Sequence, residues 1–427
     1  MRRQRSGDRL AVLIPGLGAV ATTLISGVIA ARKRLGRPVG SLTQMGQLPM
    51  KQGSTPIKEA LPLADLDDLV FGGWDILDRN ALETALDAAA LDDDDLEPMA
   101  DELAAIEPMS AVFDPHFVPN LEGNHVKVGA TKLDLGRQLI DDIEGFMADH
   151  DCQRAVGIWC GSTETQLAVD EVHLGLADFE EGLRSNHPAI SPTMIYAWAH
   201  LMAGAPFING APNRALDIPA LVELAHRRGL PIAGKDFKTG QTLLKTVIAP
   251  GLKARQLGLA GWYSTNILGN RDGAVLDNPD AFRTKEESKL SVLDACLDAG
   301  LYPELYGDYD HRVTIDYYPP RGDNKEGWDN IDIYGWMDYP MQLKINFLCR
   351  DSILAAPVAL DLVLLADLAH RMGESGVMDW LGFYFKSPQT TDGQQPVHDL
   401  FEQQQRLFER LRLFVDSNRL SHAASAE

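Results

Sequence analysis

The chain opens on a continuous apolar run, Leu10-Ala11-Val12-Leu13-Ile14, the pattern of a parallel strand buried on both faces. A glycine-marked turn follows, then a helical stretch that ends at Arg32-Lys33-Arg34. Asp67 to Ile76 predicts a second strand with a glycine-marked exit, and Ala155 to Cys160 predicts a third that runs into Gly161-Ser162-Thr163-Glu164. Pro206 to Gly210 and Pro231 to Gly234 read as two more strand ends, while Leu82 to Ile106 reads as an acidic helix. Strands alternating with helical stretches imply an α/β fold, a Rossmann-type doubly wound parallel sheet. After Thr242 the pattern changes. Val313 to Tyr318 and Met341 to Phe347 alternate and are rich in β-branched and aromatic residues, as in the strands of a more open sheet. Ser352 to Arg371 is apolar nearly all round, which predicts a buried helix with a serine cap, and Gln403 to Arg419 has the mixed charge of a surface helix.

With 427 residues the chain has room for two or three domains and a large core. The net charge of −22 repels nucleic acid and anionic membrane, so neither is expected as a partner. An anionic substrate would need a locally basic pocket to overcome the same field. The four cysteines have neither C-x-x-C spacing nor nearby histidines, which argues against a metal site or a disulfide framework and fits a cytoplasmic location. Leu10 to Ala31 carries no charge behind a basic start, the outline of a signal anchor. Pro15, Gly16, Gly18 and Gly27 interrupt it and favour the strand–turn–helix reading.

Gly16-Leu17-Gly18-Ala19-Val20-Ala21 lies between that strand and helix, the context of a dinucleotide-binding turn. Glycine there admits the pyrophosphate close to the backbone, and the helix N-terminus offers free N–H groups. Alone the pattern is equally a structural turn. Thr22 and Thr23 are placed to supply hydroxyls beside it. Asp75, at a strand end, is read with equal ease as a helix cap or as a cofactor-site carboxylate.

Three later segments concentrate small hydroxyl, amide and glycine residues among lysines. They are Asp236-Phe237-Lys238-Thr239-Gly240-Gln241-Thr242, then Ser264 to Gly273, then Phe282-Arg283-Thr284-Lys285-Glu286-Glu287-Ser288-Lys289. Lys285 and Lys289 share a face if helical, which by itself describes a solvated basic surface. In this order the three segments resemble the myo-inositol-1-phosphate synthase family, which carries D-(F/L)-K-S-G-Q-T, S-Y-N-H-L-G-N-N-D-G and F-R-S-K-E-x-S-K. The resemblance extends to Gly73-Trp74-Asp75-Ile76 (family G-W-D-I), Phe207-Ile208-Asn209-Gly210, Arg321-Gly322-Asp323-Asn324-Lys325 (V-G-D-S-K), Cys349 to Pro357 (C-E-D-S-L-L-A-A-P) and Phe383 to Pro388 (Y-W-L-K-A-P). Departures stand at Ala19, Val20 and Ala21, where the family has G-x-G-G-N-N-G, and at Arg271, Asn346-Phe347 and Arg350.

The resemblance implies an NAD-dependent isomerase that turns D-glucose 6-phosphate into 1D-myo-inositol 3-phosphate. The steps are oxidation at C5, intramolecular aldol closure and re-reduction. It implies Lys285, Lys289, Lys325, Lys386, Asp236 and Asp351 as catalytic residues. Gly16, Gly18, Ala19, Val20, Asp75, Thr163, Asp272 and Asp323 fall at the cofactor. Thr239, Gly240, Gln241, Asn266, Leu268 and Asn270 fall at the substrate. Lys285 and Lys386 are expected near the C5 oxygen, Lys325 near the C1 aldehyde, and Lys289 with Thr239, Gly240 and Gln241 at the phosphate. A cofactor domain is expected over 1–237 plus 353–427, and a catalytic and oligomerisation domain over 238–352, assembling a homotetramer. A dehydrogenase of the same fold that lacks the aldol half, and a non-catalytic binder of NAD or sugar phosphate, are the competing readings.

Overall fold

The computed structural model describes residues 8–269, 292–391 and 394–424. The apolar opening run is strand β1 (Arg9–Pro15), and it leads through the glycine turn into helix α1 (Ala19–Lys33). The remaining strands of the same sheet are β2 (Leu69–Asp75), β3 (Met109–Ser110), β4 (Cys152–Trp159), β5 (Phe207–Asn209), β6 (Pro231–Gly234) and a late addition, Gly376–Val377. The late strand lies at one edge next to β6, and the order then runs β5, β4, β1, β2, β3, with every pairing parallel. Strand order reverses at β1, between β4 and β2. In open α/β sheets that reversal opens a crevice at the carboxyl ends of the strands, where ligands bind.

The uncharged stretch Leu10 to Ala31 is therefore a central strand and a packed helix, not one continuous span. Leu10 through Ile14 are fully buried, and α1 packs on a 21-residue helix, Asp351–Arg371. That helix is apolar and long enough to cross a bilayer, but it is the core helix of the sheet, buried from Ala359 through Ala369. It starts one residue before the predicted serine. Arg350 occupies the N-cap, and the Ser352 hydroxyl instead donates to Asp323 Oδ1 at 3.0 Å. The predicted acidic helix over Leu82 to Ile106 is three short helices, Ala81–Ala88, Asp93–Leu96 and Ala100–Ala104. Ala89 takes a left-handed φ of 49°, and Pro98 opens a 3-10 turn, so neither junction can carry α-helix.

The second sheet follows helix α2 (Gly240–Ala254). Its strands are β7 (Gly258–Leu268), β8 (Asp310–Tyr317), β9 (Asn324–Tyr334) and β10 (Pro340–Arg350), in the order β8, β7, β9, β10. The β7–β8 pair is parallel and the others antiparallel. The register sets Ser264 opposite Asp329, Asn266 opposite Gly327 and Leu268 opposite Lys325. Because side chains alternate along a strand, these six positions share one face of the sheet.

One buried carboxylate ties the core helix to its surroundings. Asp361 accepts hydrogen bonds from Ser41 Oγ (2.6 Å), Leu42 N (2.6 Å), Thr43 N (3.0 Å), Thr43 Oγ1 (2.6 Å) and Tyr384 Oη (3.1 Å). Removing it strands several buried donors, each worth about 1–3 kcal/mol when unsatisfied. Asp361→Ala is expected to lower the unfolding free energy by roughly 3 kcal/mol, read as a fall in denaturant midpoint; a change below about 1 kcal/mol contradicts this.

Candidate active site

At the reversal point, Gly16 takes φ +87°, and a Cβ built on it would lie 2.4 Å from Gly161 Cα, so no other residue fits there. Gly18 behaves differently: a Cβ on it would meet nothing within 4 Å, because it faces open space in front of α1. The first backbone bond of the helix is Thr22 N to Gly18 O (3.0 Å), which leaves the N–H groups of Ala19, Val20 and Ala21 for a ligand. No acidic side chain sits in this first turn. The expected help from Thr22 is absent: its hydroxyl bonds back to Gly18 O at 3.0 Å, and Thr22 and Thr23 are both buried. Glycine geometry and backbone N–H groups therefore fit a pyrophosphate without the side-chain amides usual at this turn. Asp75 ends the neighbouring strand β2 and accepts from Leu77 N at 3.0 Å, and Thr163 is buried in the loop after β4.

The lysines come together through backbone pairing. Residues 235–237 run antiparallel to 385–387: Lys235 N to Ser387 O is 2.9 Å, Ser387 N to Lys235 O is 3.2 Å, and Lys386 N to Asp236 O is 2.7 Å. This pairing sets Lys386 Nζ 2.9 Å from Asp236 Oδ1, with both side chains 5% exposed. Asp236 itself has φ +65°, an uncommon conformation held by Asp236 N donating to Ala211 O at 3.1 Å.

Lys325, on β9, donates to Asp351 Oδ2 at 3.1 Å. Its Nζ lies 3.9 Å from where a Cβ on Gly240 would be, so the amine sits against the first residue of α2. Thr239 is the N-cap of this helix, and Gly240 takes φ +56°. Gly240 is only four positions after Asp236, a span of at most about 14 Å, so the two lysine–carboxylate pairs flank one short turn. Leu268 and Asn266 are buried on β7, on the sheet face that carries Lys325. Lys285, Lys289, Asp272 and Asn270 lie outside the described residues.

A family model described as myo-inositol-1-phosphate synthase matches residues 10–412. The chain belongs to this family. The chain is 52% identical over 410 residues to inositol-3-phosphate synthase 1 of Bacteroides thetaiotaomicron, covering 95% of this chain and 96% of that one. It is 34% identical to the inositol-3-phosphate synthase of Spirodela polyrhiza, covering 95% and 86%. The crystal structure of the Caenorhabditis elegans inositol-3-phosphate synthase superposes with a TM-score of 0.89 at 28% identity, covering 96% of this chain and 86% of that one. NAD is the cofactor of this synthase fold, and the β1–α1 turn has the geometry to hold it.

Several polar residues of the site region went unread in the sequence. Lys238 stands inside the D-F-K-T-G-Q-T run, yet its ammonium points away from the turn and donates to Gln403 in the C-terminal helix. Burial pushes it down to about 7. Lys245 Nζ lies 2.7 Å from His311 Nε2; burial brings this lysine to about 8, with Asp329 opposing the shift. Asp329 accepts from Trp262, Ser264 and Gln241. The available signal was spacing alone: Lys245 is one helical turn from Gln241, and Asp329 shares strand parity with Lys325.

Lys238 yields a pH prediction. Between about pH 7 and 10.5 the unfolded chain holds a proton on Lys238 that the folded chain does not, so this group makes stability rise with pH across that window. Lys238→Met removes the contribution. From pH 7 to 9 the wild type should gain on the order of 2 kcal/mol relative to the variant in urea unfolding. A difference that stays constant with pH contradicts it.

Proposed function

We propose that this chain is an inositol-3-phosphate synthase, converting D-glucose 6-phosphate to 1D-myo-inositol 3-phosphate with NAD regenerated in each cycle. The observation that carries the reading is the pair of lysine–carboxylate contacts, buried Lys386–Asp236 and half-buried Lys325–Asp351, on either side of a helix N-terminus. In a chain of net charge −22 such a concentration of ammonium groups has a purpose: it accepts an anion that the rest of the molecule repels.

The phosphate fits the first turn of α2, where the N–H groups of Gly240, Gln241 and Thr242 have no partner one turn back in the helix and the N-cap Thr239 carries a hydroxyl. Lys289 belongs to the same phosphate site. NAD supplies the acceptor, and then the donor, of one hydride at C5. Lys386 and Lys285 are assigned to the C5 oxygen, where a fixed ammonium stabilises the negative charge that grows as C5 and C6 react. Lys325 is assigned to the C1 aldehyde oxygen, which becomes a hydroxyl on ring closure. Asp236 holds the Lys386 amine in place, and Asp351 holds that of Lys325. The non-bridging phosphate oxygens, three bonds from C6, are within reach of the C6 proton. Anchoring the phosphate while both ends of the open sugar meet lysines removes much of the entropic barrier to closure. Asn266, Leu268 and Asn270 line the substrate, and Asp75, Thr163, Asp272 and Asp323 the cofactor.

The division into a cofactor unit (1–237 plus 353–427) and a catalytic unit (238–352) is part of this proposal, as is a homotetramer. Support for assembly comes from edge strand β10, where Met341, Leu343 and Leu348 are exposed beside Trp336, which is 89% exposed. A cytoplasmic setting agrees with four cysteines that are all free.

Purified protein with NAD⁺ and glucose 6-phosphate should give a new inositol phosphate signal by ³¹P NMR with no build-up of absorbance at 340 nm. Accumulating NADH without cyclised product would instead indicate a dehydrogenase. Lys386→Ala and Lys325→Ala should each lower kcat by about 10²-fold or more while NAD still binds; near-wild-type turnover contradicts their assignment. Leu343→Asp combined with Leu348→Asp should reduce the mass in sedimentation velocity, and an unchanged tetramer would place assembly elsewhere.

A further inference from the structure

The amide of Gln241 is turned inward. Its Nε2 lies 3.1 Å from Thr265 O, 3.2 Å from Trp328 O and 3.0 Å from Asp329 Oδ2, so both amide hydrogens are spent on the sheet. Gln241 therefore has only its backbone N–H to donate to a phosphate. Asp329 is buried, and its other oxygen accepts from Trp262 Nε1 at 2.8 Å and Ser264 Oγ at 2.6 Å. Gly327 lies under the Gln241 side chain: a Cβ there would come within 3.0 Å of Gln241 Cγ. One turn further along α2, Lys245 reaches the same part of the sheet and meets His311.

We propose that Asp329 is a positioning residue for the substrate phosphate. Acting through the Gln241 amide, it fixes the height and rotation of the first turn of α2 on β9, the strand that also carries Lys325. Asp329 and Lys325 sit four residues apart on one face of that strand, about 13 Å along it. The phosphate-binding N–H groups and the Lys325 amine thus share a single rigid ruler. This rests on the phosphate lying at the α2 N-terminus, as proposed above.

The test compares Asp329→Asn, Gln241→Met and the double variant with wild type, all loaded with NAD. Misaimed N–H groups weaken ground and transition states alike. Each single variant should raise KM for glucose 6-phosphate about tenfold with kcat within about threefold, and the inhibition constant of inorganic phosphate should rise in parallel. The double variant should be no worse than the poorer single one, since both break one linkage. Affinity for NAD should not move. If Asp329→Asn does not fold, Gln241→Met decides: a KM and phosphate constant equal to wild type overturn the proposal. Lower kcat and melting temperature at unchanged KM in either variant also overturn it, because they mark a purely structural role. Wild type that cyclises the substrate but is not inhibited by phosphate would sink the phosphate placement itself, a distinct failure.

Discussion

The structure depends on one short antiparallel pairing, 235–237 against 385–387, which carries the buried Lys386–Asp236 contact. It joins the exit of β6 to a segment far along the chain, beyond the core helix and the edge strand Gly376–Val377. Without it, Lys386 would have no fixed relation to the turn that opens α2. Taking two opposite charges out of water costs several kcal/mol per ion, and their attraction only partly offsets that. A hydrophobic pair of the same volume would be at least as stable. The retention of ions here, together with the unusual φ of Asp236, marks a site that gives up stability for chemistry.

The arrangement is reinforced from behind. The Tyr384 carbonyl accepts from Lys238 N (2.8 Å) and its hydroxyl donates to Asp361, so the residue two before Lys386 is pinned to the core helix. That same helix begins at Asp351, which holds Lys325, and its second residue, Ser352, bonds Asp323. The core helix thus acts at both lysine pairs, directly at one end and through Tyr384 at the other. An acidic chain that must bind a phosphate ester benefits from such rigidity, since the donors are set before the substrate arrives and need no reorganisation.

Much of this was legible in the sequence because it depends on local pattern. Leu10 to Ile14 read as a doubly buried strand, Gly16 and Gly18 as its turn, and Pro231 to Gly234 as a strand end. What stayed hidden depends on direction. Nothing local shows that Lys238 turns towards Gln403 while Thr239 and Gly240 face the site, or that the Thr22 hydroxyl folds back onto Gly18 O. Asp329 sits in an alternating strand where one residue of slip would have sent it to the opposite face, so its meeting with Gln241 follows from sheet register alone. Ser352 read as a cap because serine commonly caps helices, but a nearby buried carboxylate captured its hydroxyl instead.

The account is tested most directly by a crystal structure of the protein with NAD and glucitol 6-phosphate, an acyclic polyol phosphate that lacks the C1 aldehyde. The account predicts the phosphate on the N–H groups of Gly240, Gln241 and Thr242, with the Lys386 ammonium at the C5 oxygen. A phosphate bound away from α2, or a C5 oxygen out of reach of Lys386, would contradict it.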